Sequence, residues 1–83
     1  MLNMDKKIGV IAIVIEDTNQ VERVNNLLSI YRENIIGRMG LPCKDRGVSV
    51  ISIVIEGTIE LINGLSGKLG MLQGVTAKAV CTK

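Results

Sequence analysis

The amino-acid sequence lacks histidine, tryptophan and phenylalanine, and Tyr31 is its only aromatic residue. Histidine is the most frequent general base in enzymes and the most frequent protein ligand of metal ions, so its absence removes the commonest route to either role. Cysteines and carboxylates remain, but no base or orienting partner is identifiable beside them. We therefore predict a protein that is not an enzyme and has no metal site or cofactor.

The lack of aromatic residues also decides what kind of core the chain can build. Hydrophobic residues make up 47% of the sequence, and nearly all of them are aliphatic. Each such side chain contributes about 1.5–3 kcal/mol when it is fully buried. The 83 residues suffice for one such core, since a second independent core usually needs about 100 residues. We predict a single domain over residues 1–83.

Cysteine and long apolar runs are scarce as well. Cys43 and Cys81 are the only cysteines and form no CxxC pattern, which argues against a secreted disulfide framework. The apolar run from Ile8 to Ile15 has only eight residues, too few for a membrane span, and no cleavage site of small residues follows it. We predict a cytoplasmic protein without membrane contact.

Charge is low and evenly spread. Ten Lys and Arg residues oppose eight Asp and Glu residues, which gives a formal net charge of +2. The basic residues are scattered from Lys6 to Lys83 without a run. A surface that follows a phosphate backbone needs clustered basic residues, so this chain alone is not expected to bind nucleic acid.

What the sequence does contain is an internal repeat. IVIEDT at Ile13–Thr18 recurs as IVIEGT at Ile53–Thr58, an offset of 40 residues. The same offset aligns Ile35 with Val75 and Arg38 with Lys78. Repeats of this kind indicate duplicated structural units. We interpret the chain as two consecutive strand–helix–strand units.

Helix boundaries follow from polar residues after each apolar strand. Asp17 with Gln20, and Gly57 with Glu60, have the spacing of a helix cap and its partner, so helices are expected to begin near residues 18 and 58. Apolar residues then recur at helical spacing in both segments. Gly70 is the predicted stop of the second helix.

The segment Leu41 to Gly47 contains Pro42 and three charged residues and is predicted to be the loop of a hairpin between strands two and three. The resulting order βαββαβ is typical of the α+β class and of the ferredoxin-like sandwich. We predict a four-stranded antiparallel sheet with two helices on one face, strands one and three being central.

Alternation along the strands predicts a second, uncovered face. In strands one and three the odd positions carry isoleucine and the even ones mostly valine and alanine, so both faces are apolar. A sheet with one solvated face would alternate apolar with polar residues. We assign the odd face to the helices and the even face to a second chain in a homodimer or homotetramer, rimmed by Arg38, Lys78 and threonines. The predicted interface residues are Val10, Ala12, Val14, Val48, Val50 and Val54.

A candidate effector site lies at the turn after the first strand. Asp17, Thr18 and Asn19 place short polar side chains at a helix start, where free backbone N–H groups can hold a small polar ligand. Arg38 is predicted to join this site at a junction between subunits. The alternative interpretation is that the three residues simply cap the helix.

Cys43 is the one residue with a conceivable redox role. Lys44 and Arg46 lie beside it in the predicted loop, and neighbouring positive charge favours a thiolate. A loop cysteine without a special role is the favoured interpretation.

Four segments together resemble the iron-only hydrogenase system regulator family. The match spans most of the chain and consists of GRMGLP at Gly37–Pro42, GVSVISIVIEG at Gly47–Gly57, LSGKLG at Leu65–Gly70 and GVTAKAV at Gly74–Val80. The resemblance implies a ferredoxin-like fold similar to ACT domains and to the C-terminal domain of the nickel-responsive repressor, with assembly through the sheets. Nickel sensing does not carry over, because that site needs histidines, and direct operator binding is not expected because no DNA-binding segment precedes the domain.

These observations favour a regulatory or sensing domain, transcriptional or of the hydrogenase system, that binds a small effector as a homo-oligomer. The alternative is a non-catalytic structural or adaptor subunit that binds another protein through the same sheet face. Neither the effector nor the regulated partner is specified by the sequence.

Overall fold

The chain folds in the predicted order βαββαβ. The computed structural model describes residues 5–82, so residues 1–4 and Lys83 of the predicted domain lie outside the described residues. Single turns of 3-10 helix, Thr18–Gln20 and Lys44–Arg46, precede the first helix and join the second strand to the third. The strands and helices are β1 (Lys7–Ile15), α1 (Val21–Ile30), β2 (Ile35–Cys43), β3 (Val48–Gly57), α2 (Ile59–Gly70) and β4 (Val75–Cys81).

The four strands form one antiparallel sheet in the order β2-β3-β1-β4. This is the ferredoxin-like arrangement, and it confirms β1 and β3 as the central strands. The internal repeat appears as an approximate twofold relation, because Ile15 pairs with Val75 while Ile55 pairs with Ile35. In the 40-residue repeat, Ile15 corresponds to Ile55 and Ile35 corresponds to Val75, so the two pairs occupy equivalent positions.

The core is aliphatic, as the composition predicts, and lies between the helices and the odd-numbered side chains of β1 and β3. Tyr31, the only aromatic residue, follows α1, and its hydroxyl accepts a hydrogen bond from Lys68 Nζ at 3.0 Å. The buried hydrophobic residues are Ile11, Ile13, Ile15, Val24, Leu28, Ile51, Ile53, Ile55, Ile62, Leu65, Leu69 and Val75.

The first helix begins differently from the prediction. The segment Thr18–Gln20 is a 3-10 turn, and α1 proper begins at Val21. Asp17 does act as a cap, since its Oδ1 atom accepts a hydrogen bond from Asn19 N at 3.0 Å. The predicted reciprocal bond from Gln20 is wrong, because Gln20 Oε1 is buried without a hydrogen-bond partner in the described part of the chain.

The cap of α2 is Thr58 rather than the predicted Gly57. Gly57 is the last residue of β3 and has no side-chain oxygen that could accept a backbone hydrogen bond. Thr58 Oγ1 accepts one from Leu61 N at 3.1 Å. The helix ends at Gly70, as predicted.

Thr58→Ala is expected to lower the free energy of unfolding by about 1 kcal/mol, because it leaves a helix N–H donor without its side-chain acceptor. Urea denaturation followed by circular dichroism measures the change. Thr58→Ser keeps the hydroxyl and is the matched control, with most of the stability retained. Equal losses in the two variants would contradict the capping role.

The hairpin between β2 and β3 is tighter than predicted. Strand β2 continues through Cys43, which pairs with Val48, so the first part of the predicted loop is strand. Pro42 is tolerated there because β2 is an edge strand and need not donate on its free side. The turn itself is Lys44–Arg46 followed by Gly47, whose φ of 65° favours glycine.

A β-bulge near the start of β2 changes which way its side chains point. Ile35 pairs with Ile55, but the next paired residue is Gly37, opposite Val54. Ile36 is therefore an extra residue in β2. Because side chains alternate with a period of two, one inserted residue moves every later side chain of β2 to the opposite face.

The prediction that Arg38 lies at the rim of the uncovered face is therefore wrong. Arg38 pairs with Ile53, a core residue, and paired residues of antiparallel strands share a face. The Arg38 guanidinium donates a hydrogen bond to Asn25 Oδ1 of α1 at 2.8 Å. Lys78, its equivalent by sequence offset, pairs with Ala12 on the uncovered face, because β4 has no such insertion.

Candidate functional site: the uncovered sheet face and the first turn

The side of the sheet opposite the helices, called here the outer face, is covered by no other element of the described chain. The strand pairing places all six predicted interface residues on it. Its members are Ile8, Val10, Ala12 and Val14 of β1, Gly37, Met39 and Leu41 of β2, Val48, Val50, Ser52, Val54 and Glu56 of β3, and Thr76, Lys78 and Val80 of β4. The half-buried Cys43, which pairs with Val48, lies at one end of this face.

Large apolar side chains are exposed across this face. Exposed fractions run from 36% for Val50 and Val54, through 40% for Ile8 and Val10, to 64–73% for the outermost residues. Those outermost residues are Met39, Leu41 and Val80. Contiguous apolar surface of this kind marks interaction sites. That the six predicted residues contact a second chain stays a prediction.

The pairing also gives the outer face its shape. Its side chains form transverse rows across β2, β3, β1 and β4: Leu41–Val50–Val14–Thr76, Met39–Ser52–Ala12–Lys78 and Gly37–Val54–Val10–Val80. The small side chains Ser52 and Ala12 meet at the middle of the central row. Both are smaller than the valines of the rows on either side.

Four apolar members of this face were not predicted. Ile8 and Val80 have even numbers, like the predicted residues. Applying the same alternation to the whole of strands one and four would have found them. Met39 and Leu41 have odd numbers, so parity assigned them to the helix side. Only the bulge places them on the outer face, and the one local signal that could have indicated it is Gly37, since an isolated glycine within a strand suggests a bulge.

The first strand-to-helix turn, Asp17 to Asn19, is held from two sides. Besides its bond to Asn19, the turn receives the backbone of Gly74, whose carbonyl accepts a hydrogen bond from Glu16 N at 2.7 Å. Thr18 and Asn19 are exposed, whereas Asp17 is half-buried. The turn therefore presents two polar side chains to solvent, and the Asp17 carboxylate already serves as a helix cap.

Arg38 does not lie near this turn within one chain. The end of β1 at Ile15 pairs with Ser49, whereas Arg38 pairs with Ile53, four residues further along β3. With the two residues from Ile15 to Asp17, the separation along the strands is about 20 Å at roughly 3.3 Å per residue. A site that contains both would have to combine two subunits.

The cysteines are separate from each other and from the turn. Cys43 is the last residue of β2 rather than a loop residue, and both Cys43 and Cys81 are free and half-buried. Within residues 5–82 no cluster of His, Cys, Asp and Glu side chains could hold a metal ion. Neither helix of the described chain has the length and apolar character that crossing a membrane requires.

Comparison with known proteins identifies the sequence family. Residues 7–79 match the family model "TM1266-like: Iron-only hydrogenase system regulator, putative". The fold is similar to that of the uncharacterized protein TM1266 from Thermotoga maritima, with a TM-score of 0.89 and 36% sequence identity over 95% of this chain and 100% of that one.

More distant structures share the fold alone. The apo form of CPII from Thiomonas intermedia K12, a nitrogen regulatory PII-like protein, has a TM-score of 0.52 and 13% identity, covering 94% of this chain and 95% of that chain. CPII bound to ADP, AMP and bicarbonate has a TM-score of 0.50 and 13% identity, covering 96% and 92%. No match was found among curated proteins.

Proposed function

The chain belongs to the TM1266-like family of iron-only hydrogenase system regulators, and from this premise we propose that it is a non-catalytic regulatory domain that binds a small effector as a homo-oligomer. The proposal places this single domain in the cytoplasm, in line with its two unpaired cysteines. Its output is a change in assembly or in partner binding rather than a chemical reaction.

The observation that carries the proposal is the uncovered outer face. Helices cover only one side of the sheet, and the other side exposes a continuous set of aliphatic side chains. Exposing such a surface to water is unfavourable at about 25 cal/mol per Å². An oligomer removes that cost and creates junctions between subunits, where ligands can bind.

We place the effector at the turn Asp17–Asn19, with Arg38 supplied by a subunit of a neighbouring dimer, because Arg38 lies on the helix side of the sheet and not on the outer face. Thr18 and Asn19 leave polar side chains exposed beside a helix start. The exposed Arg38 guanidinium donates its side-chain hydrogen bond, within the described residues, to the neutral Asn25. A cation paired with a neutral amide keeps its charge available for an anionic group. The effector expected from this chemistry is a small anion such as a carboxylate or phosphate ester.

Titration calorimetry tests this site. ADP, AMP and bicarbonate are suitable first probes, because CPII, which shares the fold, has been seen bound to them, and amino acids form the second panel. Arg38→Ala and Asn19→Ala are each expected to weaken binding about tenfold or more, since each removes a polar partner of the ligand.

Asn26→Ala is the matched control, because Asn26 is an exposed asparagine on α1 outside the proposed site. The assignment would be contradicted if Asn26→Ala weakened binding as much as the site variants do, or if a probe bound Arg38→Ala as tightly as the wild type. If no probe in either panel binds, the sensing function itself is overturned.

The adaptor alternative uses the same outer face for a different protein. The exposed aliphatic residues on this face are compatible with a non-identical partner as well as with a second copy. Val50→Asp separates the two proposals. A purified homo-oligomer that Val50→Asp dissociates favours the regulator, whereas a monomer whose stoichiometric complex with another protein is abolished by Val50→Asp favours the adaptor.

A further inference from the structure

We propose that a second copy of this chain packs face to face on the outer face, and that Met39 and Leu41 are its principal anchors, seated over Ser52 and Ala12 of the other copy. This inference rests on the homo-oligomer of the proposed function and names the contact that forms it. The contact set differs from the one that alternation in the sequence predicts.

The bulge at Ile36 places the two anchors. It turns Met39 and Leu41 toward the outer face, where they pair with Ser52 and Val50. Their side chains are 70% and 64% exposed, because β2 is an edge strand with no neighbour beyond it in the described sheet. Long, exposed apolar side chains at the border of an apolar face are placed to reach across to a partner.

The area of the patch fits a stable dimer. Seven apolar side chains of the outer face are between 36% and 73% exposed. Together they expose on the order of 600 Å², at the upper end of the roughly 300–600 Å² of the largest apolar patch on a typical monomer. With the flanking alanine, serine and threonines, the face approaches the about 800 Å² that each partner gives to a standard interface.

The shape of the patch fits a second copy as its occupant. A twofold interface requires each surface to carry both the protruding and the receiving part. The outer face can supply both, because Met39 and Leu41 are long and exposed at its β2 border while the small residues Ser52 and Ala12 lie at its centre. Two sheets packed about 10 Å apart interdigitate their side chains in this manner.

Charge on the outer face agrees with this packing. Lys78 lies on the edge strand β4, and Glu56 lies near the end of β3, opposite Ile8. Both charges can remain at the periphery of a stacked pair of sheets, in contact with water. An apolar centre with a polar rim is the usual composition of such an interface.

Gly37 leaves open space at the β2 border of the outer face. Its backbone does not have the positive φ that favours glycine, and a Cβ atom built on it meets no other atom within 4 Å. Nothing in the described chain therefore requires glycine in this strand, where glycine weakens pairing. Glycine within a strand marks a bulge or a close approach of another backbone; Gly37 directly follows the bulge residue Ile36, and it adds no side chain opposite Val54 of the outer face, which leaves room there for a second sheet.

Sedimentation equilibrium of the full chain tests the proposal. The wild type is expected to be a dimer or a higher assembly of dimers at micromolar concentration. Leu41→Lys and Met39→Lys should each raise the dissociation constant at least about 30-fold, the effect of losing an interface hot spot. Ile30→Lys is the matched control, because Ile30 is 75% exposed at the end of α1 and the same change there should leave assembly unaltered.

Deletion of Ile36 tests the bulge directly. Without the extra residue, Ile35 and Gly37 become consecutive opposite Ile55 and Val54, so Met39 and Leu41 keep their place on the outer face and the deleted chain is expected to assemble like the wild type. A deleted chain that folds but is monomeric would contradict the assignment of the β2 residues to the two faces. Circular dichroism shows whether it folds. If it does not fold, Leu41→Lys and Met39→Lys still decide the question.

Two outcomes overturn the inference. One is a wild-type chain that stays monomeric at several hundred micromolar. The other is an oligomer whose dissociation constant neither lysine variant changes, as expected of an edge-to-edge or helix-mediated assembly. The proposed effector function fails separately: a dimer that the lysine variants dissociate but that binds no probe supports the interface and refutes the sensor. If the oligomer binds a probe but the lysine variants do not dissociate it, the sensor is supported and the interface is refuted.

Discussion

Ile53→Ala is expected to lower the free energy of unfolding by about 3–4 kcal/mol, within the range for truncation of a buried isoleucine. Ile53 is fully buried at the middle of the central strand β3, where it pairs with Ile11. The fully buried neighbours in the described chain are branched aliphatic side chains in a close-packed core, which can collapse only partly into the cavity. Since small domains have only about 5–15 kcal/mol in total, urea denaturation should show a large shift of the midpoint.

Val54→Ala is the matched control, because it changes the next residue of the same strand. Val54 is on the outer face and 36% exposed, so its truncation should cost no more than about 1 kcal/mol in an isolated subunit. Both variants are measured at two protein concentrations, because association stabilises the folded state by mass action. Equal losses at low concentration would contradict the assignment of the two faces.

Gly74→Ala is expected to cost about 2–3 kcal/mol, for two reasons that act together. The backbone of Gly74 has a φ of +77°, a conformation unfavourable to alanine, and a Cβ atom there would lie 2.7 Å from Asp17 Cβ. Left-handed backbone at a non-glycine residue and overpacking each cost roughly 1–3 kcal/mol. The contact also positions the turn of the proposed effector site, so probe binding should weaken as well.

Two other glycines separate these causes. Gly47 has a φ of +65°, but a Cβ atom added to it would meet nothing within 4 Å, so Gly47→Ala should cost only about 1 kcal/mol. Gly64 lies inside α2 with open space around it, and Gly64→Ala should stabilise the chain by about 0.5–1 kcal/mol through helix propensity. If Gly74→Ala costs no more than Gly47→Ala, the Asp17 contact is not tight.

The architecture could be predicted because two independent patterns in the sequence agree. The 40-residue repeat gives the number and order of elements, and the double-sided apolar strands identify β1 and β3 as central. Both are local or periodic properties, which hydrophobic burial converts directly into strands, helices and a core. The helix caps were less well predicted, since Thr58 competed with Gly57 for the same role and only hydrogen-bond geometry distinguishes them.

The candidate site was predicted in part. The outer face follows from parity in β1 and β3, where regular pairing preserves alternation from end to end. The turn Asp17–Asn19 lies where the sequence predicts a helix start. Arg38 was assigned to the wrong face, and with it Met39 and Leu41 were missed. All three follow Ile36 in β2.

The sequence by itself determined the duplicated βαββαβ order, the aliphatic core and the existence of a second apolar sheet face. These depend on composition and on spacing along the chain. Only the tertiary structure decided which side chains of β2 belong to that face, because a bulge is a property of two paired strands. Ile36 is extra only relative to Val54 on the neighbouring strand, and Gly37 can suggest a bulge within β2 but does not determine the pairing that results.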